Sequence, residues 1–392
     1  MTTNGVYFHS PRNGESLTVF GDHEPKTVSQ MWRCMGVGNV VGGVLCADGH
    51  YGYAQPVGGV VAYEDMISVS GVGFDIGCGN LAVKTDMTRK DIRGRENGIA
   101  KDIQKSISFG LGRENKMKGA DDHPLFDRND LWDHAEIRHL KNMAHVQLGT
   151  VGSGNHYVDL FEGDDDHVWI GVHFGSRGLG HKTATKFLAL AGGKDGMDVA
   201  PAVLDVHSDL GQAYLAGMEL AGMYAYAGRE WVVKTIVKML AAKVKDTVHN
   251  HHNFAWLEEH GGRKLWVVRK GATPAFPGQR GFVGGSMGDD AVIVRGIDSD
   301  KSAESFYSTV HGAGRIMGRG DAKRTFIRRQ MDEWIAEKGV ELHGADVDES
   351  PMAYRRLKDV LAFHAGTIEI EATLRPFMVF MAGKQDRDPY KD

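Results

Sequence analysis

Cysteine is scarce in this chain. Its three thiols, Cys34, Cys46 and Cys78, are too few and too scattered for a disulfide framework. That excludes the small stapled secreted domain and points to a reducing, cytosolic setting. Long apolar runs are missing too: no stretch approaches the roughly 18 uncharged apolar residues of a membrane span. The opening MTTNGVYFHS lacks a basic flank followed by an apolar core, so no signal peptide is expected. Positive charge is not in excess either. With 46 Lys and Arg against 51 Asp and Glu, the net charge is −5. Bulk charge therefore gives no support to nucleic-acid binding, and any such contact has to use local patches. No clear linker or internal repeat interrupts the chain, which favours one intertwined α+β domain over residues 1–392 rather than two domains.

Glycine, by contrast, is abundant: 52 residues, roughly 13% against a usual ~7%. The glycines cluster in short motifs, as expected for tight turns or loops lying against a ligand. Between them, Val37–Leu45, Val57–Ala62, Ile67–Val72 and Leu81–Lys84 read as short strands. Residues 87–145 are charged and mostly helical in pattern. The apolar run Val168–Val172 predicts a buried strand ending at His173, followed by a glycine-rich loop and a helix from Lys182. Leu210, Tyr214, Met218, Ala221 and Tyr224 recur at helical spacing and predict a long helix over 208–245, with Ser208 or Asp209 as cap. Strands resume at Leu265–Arg269 and Ala291–Arg295. A basic amphipathic helix follows Asp321, with Phe326, Met331, Trp334 and Ile335 inward.

The stretch most suited to chemistry is Gly71–Asn80, GVGFDIGCGN. Asp75 and Cys78 on a tight backbone let an oxygen and a sulfur converge on one ion, and a thiolate can bridge two. Four histidine contexts stand out: Asn155-His156 after Gly-Ser-Gly, His173 before Gly175-Ser176-Arg177, the run His249–Asn253, and His311-Gly312-Ala313-Gly314-Arg315. Asp75, Cys78 and three of these histidines could build a pair of divalent sites, although the ligand types alone do not choose the metal. For any single histidine, a hydrogen-bonded loop role is an equal alternative.

Other signals are weaker. Gly175–Gly180 before a helix could hold a phosphate on backbone N–H groups, with Arg177 adding a charged fork; a plain glycine turn has the same signature. Arg269-Lys270-Gly271-Ala272 and Gly284-Gly285-Ser286-Met287-Gly288 are similar. Asp48-Gly49-His50 reads as a turn, or as a neighbour of the same centre. His311 is flanked by glycine, so a ligand can approach closely. Arg315 and Arg319 follow at four-residue steps and on a helix would share a face able to hold phosphate. An imidazole nitrogen there could attack phosphorus and form a phosphoramidate, or His311 could be a structural residue near a helix start.

Taken in order, the blocks ADGHYGYAQPVGGV, GVGFDIGCGN, GTVGSGNHYVDL, HFGSRGLGH, HHNF, VVRKGA, GGSMG, HGAGR, DESPMAYRRLKDV and TLRPF resemble the RtcB family of RNA-splicing ligases. The resemblance spans about residues 46–376. It implies a single α+β domain with sheets around a central metal and nucleotide cleft and helices at the periphery. It implies an enzyme that joins RNA 2′,3′-cyclic phosphate or 3′-phosphate ends to 5′-hydroxyl ends, using GTP and two Mn²⁺ ions. Carried over by motif, Cys78 bridges both ions, Asp75 and His156 complete one site, and His173 and His252 the other. His311 becomes guanylylated. Its GMP passes to the RNA 3′-phosphate, and the 5′-hydroxyl then displaces GMP. Asn155 and Asn253 lie beside the nucleotide phosphates. Ser286, Met287 and Gly288, with Gly312, Ala313 and Gly314, form nucleotide contacts, and Arg177, Arg315 and Arg319 hold phosphates along the RNA path. An activating partner is left unidentified, and no membrane is involved.

The chain departs from the family pattern in several places, two of which bear on the base: Asp159 and the C-terminal lysine position. Asp159 stands where a glutamate is usual, Gly318 where a serine is usual, and Val310 and Cys46-Ala47 replace a cysteine and Met-Pro. Near the C-terminus the usual guanine-contacting lysine position falls on Met381, with Lys384 three residues later. Two other classes stay open beside the ligase: a dinuclear metal phosphodiesterase or phosphatase that needs no His311, and an RNA-end binding protein without turnover.

Overall fold

The computed structural model describes residues 6–12, 15–117, 119, 122–134 and 136–383. Two large sheets dominate it. One has six strands in the order Val6–Arg12, Glu15–Phe20, Val40–His50, Val57–Tyr63, Arg263–Lys270 and Asn253–His260. The other runs Val244–His251, Gly79–Thr88, His167–Phe174, Tyr157–Gly163, Ile368–Met381, Ala291–Gly296 and Arg280–Val283, with Glu341–His343 beside Ile368–Met381. The two ends of this second sheet meet. Asn250 Oδ1 accepts the Phe282 N–H at 2.9 Å, Asn80 Nδ2 donates to the Phe282 carbonyl at 2.8 Å, and Arg280 pairs with Asp246 at 2.7 Å. These side chains draw the sheet almost shut. Its inner strands are covered on both faces, so Val168, Trp169, Ile170 and Val172 are all buried. That is why the sequence there is a continuous apolar run rather than an alternating one. The mixture of helices and sheets is the α+β class expected.

The helix Asp209–Leu240 supports this sheet from below. Ser208 caps it by accepting the Gly211 N–H at 3.0 Å, and Ala241 ends it in the left-handed region at φ 55°. Its buried stripe of Tyr214, Met218, Ala221, Tyr224 and Ala225 continues through Gly228, Val232 and Ile236. The first half packs in one hydrophobic cluster and the second half in another, so the helix ties them together.

Several local expectations change. Ile67–Val72 is not one strand: Met66–Ser68 is extended, and Val69–Val72 is a helical turn begun by Ser68, whose hydroxyl accepts the Gly71 N–H. Short apolar runs do not distinguish the two states, and a side-chain cap decides. The helix expected from Lys182 begins at Arg177, so Gly178 and Gly180 lie inside it. A Cβ on Gly180 would sit 1.8 Å from Ser176 Oγ, so close packing outweighs glycine's weak helix propensity. The basic helix after Asp321 is two helices, Arg319–Thr325 and Arg328–Glu337, separated by extended Phe326 and Ile327. Met331 and Ile335 are buried, while Trp334 and Phe326 are half-buried.

Candidate metal and nucleotide site

Register builds the site. Strand Gly79–Thr88 lies between His167–Phe174, which pairs His173 with Asn80, and Val244–His251, which pairs His251 with Gly79. Cys78, His173 and His252 are therefore neighbours at one end of three adjacent strands, although 174 positions separate Cys78 from His252. Two glycines allow this approach. A Cβ on Gly79 would lie 2.2 Å from the Asn250 carbonyl, and one on Gly175 would lie 2.2 Å from Asp75 Oδ1. His156 precedes strand Tyr157–Gly163, whose Tyr157 pairs with His173.

Two groups with converging donor atoms result: Cys78, His173 and His252, and Asp75, Cys78 and His156. Within each, one ligand atom per residue lies within 4.8 Å of the others. Cys78 belongs to both. Its Sγ is 3.2 Å from His173 Nε2 and 3.9 Å from His156 Nε2, and Asp75 Oδ2 is 3.1 Å from His156 Nε2. His173 Nδ1 donates to the Asn155 carbonyl at 3.1 Å, which leaves the Nε2 lone pair facing the thiol. His156 Nδ1 and His252 Nδ1 are buried without a hydrogen-bond partner among the described residues.

The electrostatics suit a cation. Burial, with neighbouring His156 or His311 next, pushes His173 and His252 well below the usual histidine value, so both are neutral and offer lone pairs. Burial would raise Asp75, but the hydrogen bond and charge of His156 outweigh it and hold the carboxyl at about 2. Burial, and Asp75 after it, push the Cys78 thiol well above its ordinary value. A largely enclosed set of one carboxylate, one thiol and three imidazoles, two of them with an orphaned nitrogen, fits divalent ions of borderline softness.

His311 faces the same cleft, its ring 4.9 Å from that of His252. It follows strand Ser308–Val310 and is not at a helix start. Asp48, wholly buried, anchors it: Asp48 Oδ2 accepts the His311 N–H at 2.9 Å, the Gly312 N–H at 3.2 Å and the ring Nδ1–H at 2.5 Å. Burial would raise Asp48, but its pairing with His311 holds it below the usual carboxylate range. With Nδ1 as the donor, Nε2 is the free nitrogen. All six residues, Asp75, Cys78, His156, His173, His252 and His311, line one cleft of about 1080 Å³.

The profile of the family described as tRNA-splicing ligase RtcB matches residues 30–138 and 114–382. The chain belongs to the RtcB family. It is similar to the RNA-splicing ligase RtcB of Escherichia coli K12, at 31% identity over 357 residues, covering 84% of this chain and 87% of the relative. The tRNA-splicing ligase RtcB of Thermococcus kodakarensis is 31% identical, covering 86% of each chain. That of Archaeoglobus fulgidus is 30% identical, covering 86% of this chain and 87% of its own length.

The other residues that the RtcB resemblance singled out are placed unevenly. Asn155, Asp159, Asn253, Ser286, Met287, Gly312, Ala313, Gly314, Arg315 and Arg319 line the cleft. Asn253 has its amide engaged within the protein: Oδ1 accepts the Gly271 N–H at 2.7 Å and Nδ2 donates to the Asp75 carbonyl at 3.4 Å. Gly288 packs towards Trp334, and Arg177 donates to Thr150 and the Gly110 carbonyl; neither lines the cleft. Lys384 lies outside the described residues.

Arg315 and Arg319 do not share a helix face. Arg315 is in an extended bridge to Tyr354, and Arg319 is the first residue of its helix. They converge through an acid instead: Glu349, 3% exposed, accepts from Arg315, Arg319 and Tyr354. Any anion at this pair has to compete with that carboxylate.

Asp159 is buried in strand Tyr157–Gly163, across from Val379, and Met381 ends the opposite strand at the cleft wall. Burial raises the Asp159 carboxyl well above its ordinary value, against one hydrogen bond from the Phe380 N–H, and its Oδ1 has no partner among the described residues. A raised folded-state value means that unfolding at neutral pH releases a proton, which lowers stability above the ordinary value of 3.8. Asp159→Asn is therefore expected to raise the melting temperature at pH 7 by a few degrees. Calorimetry should show that gain disappearing as the pH falls towards 3.8; a gain independent of pH would contradict this account.

Asp48 is the neighbour of the centre that one of its two sequence readings allowed. Sequence reasoning missed two members of the site. Glu349 lies inside a motif block that does not single it out. Arg229 had a signal that was not used: it is a charged residue on the buried stripe of its helix.

Proposed function

We propose that this chain is a GTP- and Mn²⁺-dependent RNA ligase that joins 2′,3′-cyclic phosphate or 3′-phosphate ends to 5′-hydroxyl ends through a guanylylated His311. The observation that carries this reading is His311 itself. Its Nδ1 is held by a buried carboxylate, its Nε2 is free, and it stands beside a cluster able to hold two divalent ions. A phosphodiesterase that works through the two ions alone does not need such a residue.

GTP is consumed, so it is a substrate. His311 Nε2 attacks the α-phosphorus, the bond to the β-phosphate oxygen breaks, and pyrophosphate leaves. Asp48 holds the Nδ1 proton and balances the positive charge that the imidazole acquires. Asp75, Cys78, His156, His173 and His252 would hold two Mn²⁺ ions, which supply charge neutralisation at the phosphates. The RNA 3′-phosphate then takes GMP from His311, and the 5′-hydroxyl displaces GMP to form the phosphodiester. Asn155 and the Gly312–Gly314 turn are the backbone cradle for the nucleotide, with Ser286, Met287 and Asp159 towards its base. Arg315 and Arg319 face the RNA phosphates. We further read residues 1–392 as one domain, acting in the cytoplasm. Three buried cysteines with no disulfide between them support that placement.

The test is incubation with Mn²⁺ and GTP radiolabelled at the α-phosphate. The parent is expected to carry acid-labile, alkali-stable label after denaturation, and His311→Ala none. An unlabelled parent would favour a dinuclear phosphodiesterase.

A further inference from the structure

Beneath the cluster lies a charged group that this reaction scheme does not use. Arg229 is wholly buried, and among the described residues no carboxylate comes within ion-pair distance of it. A buried guanidinium without a paired acid is costly unless its donors are satisfied. Four contacts engage them. Nη1 donates to the Gly77 carbonyl at 2.9 Å and to the Phe174 carbonyl at 2.6 Å, and Nε donates to His249 Nε2 at 2.9 Å; Nη2 lies 3.1 Å from His251 Nδ1, a nitrogen that is also 2.9 Å from the Gly77 carbonyl. Gly77 precedes Cys78, Phe174 follows His173, and His251 precedes His252. One side chain thus grips the immediate neighbour of every member of one candidate ion site. It grips no immediate neighbour of Asp75 or His156, the other two ligands of the second group.

We propose that Arg229 is the positioning residue for the ion held by Cys78, His173 and His252, and not for the ion held by Asp75, Cys78 and His156. The proposal rests on the two-ion reading above. Its physical basis is the fork. A planar guanidinium offers five donors in fixed directions, so it can tie three chain segments at once, whereas an ammonium cannot reproduce that geometry. Fixing the Phe174 carbonyl and the His251 ring fixes the strand ends that carry His173 and His252, the two ligands that belong to this ion alone. Ligand distances at a metal tolerate only about 0.2 Å of error, so a brace of this kind controls affinity.

The experiment is metal titration of the full chain after chelation, with Mn²⁺ followed by calorimetry and Co²⁺ followed by its visible and thiolate charge-transfer absorption. The parent is expected to bind two equivalents. In Arg229→Lys and Arg229→Gln one equivalent should keep its affinity while the other weakens by about 10–100-fold, the usual effect of removing an outer partner of metal ligands. The Co²⁺ thiolate band should persist at the first equivalent, because Cys78 also serves the other site. Two equivalents at parental affinity in both variants would overturn the proposal, as would equal weakening of both. Failure of both variants to fold would also overturn it, by assigning Arg229 to the fold; should only the glutamine variant fail, the lysine variant decides. A parent that binds fewer than two ions refutes the two-ion reading itself, and this assignment with it.

Discussion

Asp48→Ala is expected to slow nucleotidylation of His311 by on the order of 10³–10⁴-fold, the scale at which loss of a histidine-orienting carboxylate acts in a catalytic triad. One oxygen of Asp48 receives the His311 N–H, the Gly312 N–H and the ring Nδ1–H. Alanine leaves all three donors without that acceptor, frees the ring to rotate and lets the proton move to Nε2, where attack is blocked. Asp48→Asn should recover part of the rate. Its amide oxygen can still accept these bonds but carries no charge to balance the imidazolium. The measurement is the single-turnover rate of label transfer at saturating GTP and Mn²⁺, with metal stoichiometry checked in parallel. Rates within a few-fold of the parent, at unchanged metal content, would show that Asp48 only holds the Gly312 turn.

Cys78→Ser should remove both ions together, and with them detectable labelling and ligation. Cys78 is the one residue common to the two groups of converging ligands, whereas His156→Ala and His173→Ala each take a ligand from one group. The loss should exceed the about 100-fold that an outer-partner change causes. A second readout separates this from misfolding. Because burial and Asp75 keep the thiol protonated in the free protein, metal uptake has to expel its proton. Metal binds the deprotonated form, so affinity rises with pH. Binding in weak buffer with an indicator dye should show proton release in the parent and less in Cys78→Ser. Equal release from both proteins would place the bridging role elsewhere.

Much of the site was legible because chemistry restricts which residue types can do it. Thiols are few in 392 residues and Cys78 sits between glycines; His311 precedes a glycine, His156 and His252 adjoin asparagine, and His173 ends an apolar run before a glycine-rich loop. The long helix was legible because a 3.6-residue stripe is a local property. The wall proposed to meet the base was less so: Lys384 lies outside the described residues, and Asp159 and Met381 line the same cleft.

The sequence by itself determined the donor chemistry, the strands and helices with clear periodicity, and the order of motifs that marks the RtcB family. Tertiary structure alone decided which groups meet. Asp48 and His311 are 263 positions apart, Arg315 and Arg319 converge through Asp348 and Glu349, and Arg229 reaches three ligand-bearing segments from a helix that carries none of the ligands. These contacts follow from antiparallel register across a nearly closed sheet. The hydrophobic pattern of a strand constrains which face it buries, but neither segment alone names the distant strand it pairs with.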